Sequence, residues 1–444
     1  MVWRMLRHHP KGLLYIVGNE AAERFSYYGM KAILVVFMTT HLLDSSGVSR
    51  PMSESDATFW YHIFGMANYF VPLLGAIVAD AFLGKYRTII ILSLVYCLGH
   101  LALAIDDTRL GLSVGLALIA IGSGGIKPCV SAHLGDQYRD GHSGRISEGY
   151  SLFYISINIG AFISTLMTPL LLERFGPQVA FGVPGALMAL ATFVFWKGRA
   201  VYVAMPPTPF RQYFSELKQA EHQAATIRVL TLFIALSVFW ALFDQTGSSW
   251  VLQAERMNRV IELPFSIKLE VLASQIQALN PILILVLAPL FTWGVYPWLS
   301  RRGVLSSRGK VVTGLFMAGA AFVLVAYAQS LIERGESPTI WWQLWAYLIL
   351  TIAEVVVSIT ALELAYTTAP STRRSLITSF YLLSVALGNG LTALVAGPGA
   401  DVVGQPSTAR FFYFFAALSM VAALPVWRLL SRIERQAGRS DSAL

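Results

Sequence analysis

The chain has 444 residues, 55% of them hydrophobic and only 13% charged, with a formal net charge of +8 and a mean hydropathy of +0.59. A soluble domain averages about 25% charged residues, so this composition cannot cover a water-facing surface and excludes an ordinary soluble globule. The basic excess sits in short segments between apolar runs without a basic-aromatic patch, which also excludes a nucleic-acid-binding surface.

Apolar runs of the ~20 residues needed to cross about 30 Å of hydrocarbon predict an all-α membrane protein. In chain order the spans fall at 13–42, 57–80, 87–105, 110–131, 149–171, 178–197, 228–251, 277–299, 311–331, 341–368, 373–398 and 409–431. The first is preceded by Arg4, Arg7 and Lys11 but contains Glu20, Glu23 and Arg24 and lacks a small-residue cleavage site, so it reads as a span rather than a cleaved signal peptide. The polar stretch 198–227 divides the chain into an N-terminal six-helix bundle (1–197) and a C-terminal one (228–444). Segment 252–276 is the longest outer connection and is too short for a folded domain.

With the N-terminus inside, the inner segments hold 22 Lys and Arg residues and the outer ones 8. This bias predicts both termini on the cytoplasmic side of the inner or plasma membrane. Cys97 and Cys129 lie within spans and form neither a disulfide framework nor a zinc site.

Ionisable groups inside spans are costly against lipid and normally face a partner or a water-filled cavity. In the first span, Glu20, Glu23, Arg24, Tyr28 and Lys31 recur at helical spacings of three and four and form one stripe. Two acids and two bases on one stripe can exchange protons, since each carboxylate is neutral or paired according to what lies opposite; a static ion cluster is the structural alternative. His62 on the second span could titrate near neutral pH or simply pack. The segment DAFLGKYRT, Asp80 to Thr88, reads as a tight turn whose charges could latch one conformation. Lys127, in GSGGIKP on the fourth span, calls for a carboxylate partner such as Glu20 or Glu23, or else snorkels to the inner surface. Asn158 on span five and Asn280 on span eight add neutral polar groups that serve a site or join helices. Asp244 lies on span seven and Glu354 on span ten, with Glu363 nine residues further.

These segments resemble the proton-dependent oligopeptide transporter family, a branch of the major facilitator superfamily. EAAERFSYYG, DAFLGKYRT, FYISINIG, GGIKP, FDQTGSSW, LNPIL and AEVVVSIT match family segments in order across most of the chain. The resemblance implies the major facilitator fold of twelve helices and proton-coupled import of di- and tripeptides by alternating access. It also implies roles. Glu20, Glu23, Arg24 and Lys127 would couple protons, Lys31 and Lys127 would attract the peptide carboxylate, and Glu354 its amino group. Asn158 and Asn280 would bond the backbone, Tyr28 and Tyr69 would line the pocket, and Lys31 with Asp244 would gate it.

The chain departs from the family pattern in three places. Lys31 stands where members usually have Arg, losing bidentate carboxylate recognition. The linker is too short for the two-helix hairpin of many bacterial members, so twelve spans are expected rather than fourteen. His62 resembles a histidine of animal members, whose large extracellular domain is missing here.

The nearest alternative is a same-family carrier of nitrate, a peptide-like drug or another organic anion, which would gain little from Glu354. With no metal-ligand cluster, nucleophile motif or soluble catalytic domain, the sequence does not predict an enzyme. It implies no metal or cofactor beyond the coupling proton, and no obligate protein partner.

Overall fold

A computed structural model describes residues 9–138, 145–203, 205–207, 223–263, 267–301, 306–368 and 374–441. Most of the polar linker and the side chain of Glu363 therefore lie outside the described residues. The architecture is helical apart from one hairpin. Its contacts divide the chain into two compact units, Met1–Pro51 with Ala67–Lys218 and Met52–Met66 with Gln219–Leu444.

The first unit takes in α1 (Leu13–Thr40), the C-terminal part of α2 (Glu54–Val78), α3 (Lys85–Ile105), α4 (Arg109–Asp136), α5 (Ile146–Phe175) and α6 (Pro177–Lys197). The second takes in the N-terminal part of α2, α7 (Gln223–Phe243), α8 (Ser249–Ala254), α9 (Leu279–Leu290) and α10 (Tyr296–Arg301). It continues through α11 (Ser307–Glu333), α12 (Trp341–Thr368), α13 (Arg374–Ala396), α14 (Ala400–Val403) and α15 (Ala409–Asp441). Among the described residues, ten helical stretches are long and apolar enough to cross a membrane. At 1.5 Å per residue, the 28 residues of α1 span about 42 Å, but four ionisable side chains interrupt its apolar surface. In α13 the apolar portion is Phe380–Ala396.

Two expected spans are broken. In the run expected as 228–251, α7 ends at Phe243, a 3-10 turn covers Asp244–Gly247, and α8 begins at Ser249. A break inside a membrane frees backbone groups that must find partners within the protein. Here the Tyr347 hydroxyl donates to the Thr246 carbonyl at 3.0 Å. In the run expected as 277–299, Pro281, Pro289 and Pro297 each remove a helix donor. The helix accordingly passes through a π turn at Phe291–Val295 before α10. The outer connection, expected to be too short for a folded domain, contains a hairpin: β1 (Val260–Leu263) pairs antiparallel with β2 (Ile267–Glu270). Glu262 faces Lys268 across the ladder, with Lys268 Nζ 3.2 Å from Glu262 Oε1.

Within the first unit α1 packs mainly on α5 and α6, and α3 on α4. Gly160 of α5 explains how closely α1 approaches. A Cβ there would collide with the Ala21 carbonyl oxygen and lie 3.2 Å from Arg24 Cβ. Backbone cannot move aside as a side-chain tip can, so Gly160→Leu should cost roughly 1–3 kcal/mol through overpacking. Thermal unfolding in detergent checks this, and an unchanged midpoint would show that α1 and α5 can separate without cost.

The DAFLGKYRT segment does form a tight turn. Ala79–Leu83 makes a π turn, and Gly84 takes a φ of +76°, which favours glycine. Lys85 then pairs with Asp136 at the end of α4, Nζ to Oδ2 at 2.6 Å. That partner was not foreseen from the sequence.

Candidate functional site

The stripe on α1 is buried at Glu20, Glu23, Arg24 and Lys31, while Tyr28 is half-buried. Arg24 Nε lies 2.9 Å from Glu20 Oε1 and 2.5 Å from Glu23 Oε2, so one guanidinium holds both carboxylates. Glu23, fully buried, also accepts a hydrogen bond from the Ser123 hydroxyl of α4 at 3.0 Å. Ser123 and Lys127 are four residues apart, so α4 presents both on one face towards α1.

Lys127 corrects the expectation of a carboxylate partner. Its Nζ sits 4.0 Å from the Tyr27 ring centroid and 4.6 Å from that of Tyr69. Buried, it has no hydrogen-bond partner among the described residues. Arg24, Glu23, Lys31 and Glu20 lie close enough to act on it through space. Two aromatic faces stabilise a desolvated ammonium by about 2 kcal/mol or more each, yet accept no hydrogen bond from it. The ammonium therefore retains its capacity to donate to an added anion. Tyr27 is itself fixed, its hydroxyl accepting from Asn68 Nδ2 at 2.8 Å. Asn158 is buried, and its amide donates to its own helix at the Tyr154 carbonyl, 2.9 Å away.

In the second unit, Asn280 Nδ2 donates to Glu354 Oε2 at 2.7 Å and approaches Thr351 Oγ1 at 3.2 Å. These contacts join α9 to α12 and orient one carboxylate oxygen of the half-buried Glu354. His62, fully buried, belongs to the same unit and has both ring nitrogens engaged. Asn389 Nδ2 donates to Asp244 Oδ2 at 2.7 Å and to the Val385 carbonyl at 3.0 Å, which leaves Asn389 Oδ1 as the acceptor. His62 Nδ1, 2.8 Å from that oxygen, must then donate. His62 Nε2 faces Ser248 Oγ at 2.8 Å. A hydroxyl there can donate to a neutral imidazole or accept from a charged one, so the network is complete in either state.

His62→Leu should leave Asn389 Oδ1 and the Ser248 hydroxyl short of a partner, costing about 1–3 kcal/mol for each unsatisfied group. His62→Gln should lose less. A thermal-unfolding series of the two variants checks the order, and equal losses would point to packing instead.

The sequence from 86 to 210 and from 204 to 405 matches the POT family (PTR2). The chain belongs to the POT family. It is 39% identical to solute carrier family 15 member 2 of Homo sapiens over 369 residues, covering 72% of this chain and 49% of that protein. It is 38% identical to peptide transporter family 1 of Drosophila melanogaster over 373 residues, covering 74% and 48%. The chain thus spans about half the length of these curated relatives. The crystal structure of an auto-inhibited POT family peptide transporter superposes with a TM-score of 0.84 at 34% identity, covering 95% of this chain and 97% of that one. POT proteins are membrane transporters rather than enzymes, which fits the helices described above.

Against the POT reading made from the sequence, Glu20, Glu23 and Arg24 form one ion-paired cluster, with Lys127 held beside it on aromatic rings. Asn280 and Glu354 meet directly. The sequence reading named Tyr28 and Tyr69 but missed Tyr27, whose ring lies closest to Lys127 among the two that flank it. It also missed Ser123 and Asn389. A polar residue between two glycines in the apolar run LGNGL was the available signal for Asn389.

Proposed function

We propose that this POT protein imports di- and tripeptides together with protons by alternating access. The observation that carries this reading is the division of charge between the two units. One holds Lys127 beside the Glu20–Arg24–Glu23 cluster, and the other holds Glu354 on Asn280. A short peptide is a zwitterion, so it needs a cationic pole, an anionic pole and backbone partners. In this proposal Lys127 and Lys31 take the carboxylate, Glu354 the amino group, and Asn158 and Asn280 the backbone. Tyr28 and Tyr69 line the pocket.

Glu20, Glu23, Arg24 and Lys127 couple the proton. Loss of a proton from Glu23 strengthens its pairing with Arg24, and gain of one loosens it. Lys31 and Asp244 serve as the gate, and His62 is the pH-sensitive group beside it, a gained proton reversing its hydrogen bond with Ser248. The proposed chain has twelve spans in two six-helix bundles, 1–197 and 228–444, with 198–227 as a cytoplasmic linker and both termini inside the cell membrane. The excess of basic residues on one set of connections supports that orientation. The names of the Drosophila relative and of the auto-inhibited transporter support the substrate class.

Removing the peptide carboxylate tests the cationic pole. Dialanine amide should bind about tenfold or more weakly than dialanine, a loss of ~1.4 kcal/mol or more. Lys127→Ala should shrink that difference. Equal binding of the two ligands to the wild-type protein would remove the carboxylate role from Lys127.

A further inference from the structure

A cavity of ≈ 340 Å³ lies between α3 and α6, and no residue of the ion-paired cluster lines it. Cys97, His100 and Ala104 of α3 line it, with Gly182, Gly185 and Ala189 of α6. The two α6 glycines differ: a Cβ on Gly185 would lie 2.7 Å from His100 Cβ, so the helices meet closely there, whereas one on Gly182 would meet only Ala104 Cβ at 3.8 Å, where the space is open. Apart from Cys97 and His100 its lining is apolar, and neighbouring Leu98 and Leu101, also at the cavity, are more than half exposed. In a membrane protein that exposure is to lipid.

His100 is fully buried, and neither ring nitrogen has a hydrogen-bond partner among the described residues. The Phe181 carbonyl is close enough to interact with the ring but misses hydrogen-bond geometry. An imidazole unsatisfied in hydrocarbon costs several kcal/mol, so a lipid-facing cavity with one buried in its wall has the form of a ligand site with one polar handle.

Depth restricts the occupant. His100 lies five residues before Ile105, where α3 ends, or about 7.5 Å along the helix. A phospholipid cannot bring its ionised headgroup that far into the hydrocarbon without a penalty of a few kcal/mol. A lipid whose polar end is uncharged can.

We propose that the α3–α6 cavity binds a neutral glycerolipid, its acyl chain along the small residues of α6 and its hydroxyl on His100. A hydroxyl both donates and accepts, so it can pair with one ring nitrogen in either tautomer of the imidazole. The proposal is independent of which solute the protein transports.

The chain has two cysteines, so Cys129→Ser leaves Cys97 as a single thiol reporter on the cavity wall. The purified variant is placed in phospholipid vesicles with or without dioleoylglycerol. The rate at which phenylmercuric acetate, which takes a neutral thiol, modifies Cys97 is then read by mass spectrometry. Dioleoylglycerol should slow the reaction about tenfold, equivalent to ~1.4 kcal/mol of protection. His100→Leu should abolish the protection, and His100→Gln, which keeps a donor and an acceptor, should retain it. Gly182→Leu, which fills the cavity, should slow labelling whether or not the lipid is present. An unchanged rate with dioleoylglycerol in the parent, or undiminished protection in His100→Leu, would overturn the proposal.

Discussion

Replacing Glu23 with glutamine is expected to reduce pH-driven accumulation to the level seen without a gradient, while counterflow exchange stays measurable. Glu23 is fully buried, ion-paired to Arg24 at 2.5 Å and hydrogen-bonded by Ser123. Glutamine has nearly the same shape and still accepts from Ser123, but it has no proton to release and no charge to return to Arg24. Stranding a buried charge usually costs about 3–5 kcal/mol. Arg24 keeps Glu20 at 2.9 Å, so the loss of stability should fall below that range. The variant should therefore fold, bind and exchange peptide without coupling the exchange to protons. Accumulation above the gradient-free control would move the coupling role away from Glu23.

The second large effect is expected at Glu354. Glu354→Gln keeps an oxygen for the Asn280 amide, which donates to the native side chain at 2.7 Å, but removes the negative charge. A hydrogen bond to a charged group contributes about 1.5–3 kcal/mol. Dialanine affinity should therefore fall roughly ten- to a hundredfold. Acetylating the peptide removes its ammonium, so acetyl-dialanine should lose little further affinity in the variant. Competition in a counterflow assay measures both ligands. Equal losses for the two would end the assignment of Glu354 to the amino group.

Much of the candidate site was legible because charge in an apolar run is expensive. Glu20, Glu23 and Arg24 could be grouped from helical spacing alone, since residues three and four apart share a face. Lys127 was visible for the same reason, but its environment was not. A cation in lipid signals that a partner exists without naming it, and here the nearest partners are the rings of Tyr27 and Tyr69. Tyr27 and Tyr28 are adjacent in sequence and about 100° apart around the helix. Which of the two meets Lys127 depends on how α1 is rotated against α4, and hydropathy does not encode that rotation.

The broken helix at Asp244–Gly247 was hidden because apolar residues continue to either side of it, through Trp250 and Val251. The DQTGSS composition was the local sign of the break. The hairpin had a clearer signature. VIEL and IKLE are short segments rich in branched residues, separated by three residues that include Pro264. Attention to long apolar runs passes over strands of four residues. The His62 network joins α2, the break after α7, and α13, so only tertiary structure could reveal it.

The most direct test of proton-coupled peptide import is uptake of labelled dialanine into proteoliposomes with an inward proton gradient. Accumulation above the external concentration that collapses when a protonophore is added is the expected result. Failure of correctly inserted protein to accumulate dialanine or tripeptides under that gradient would contradict it.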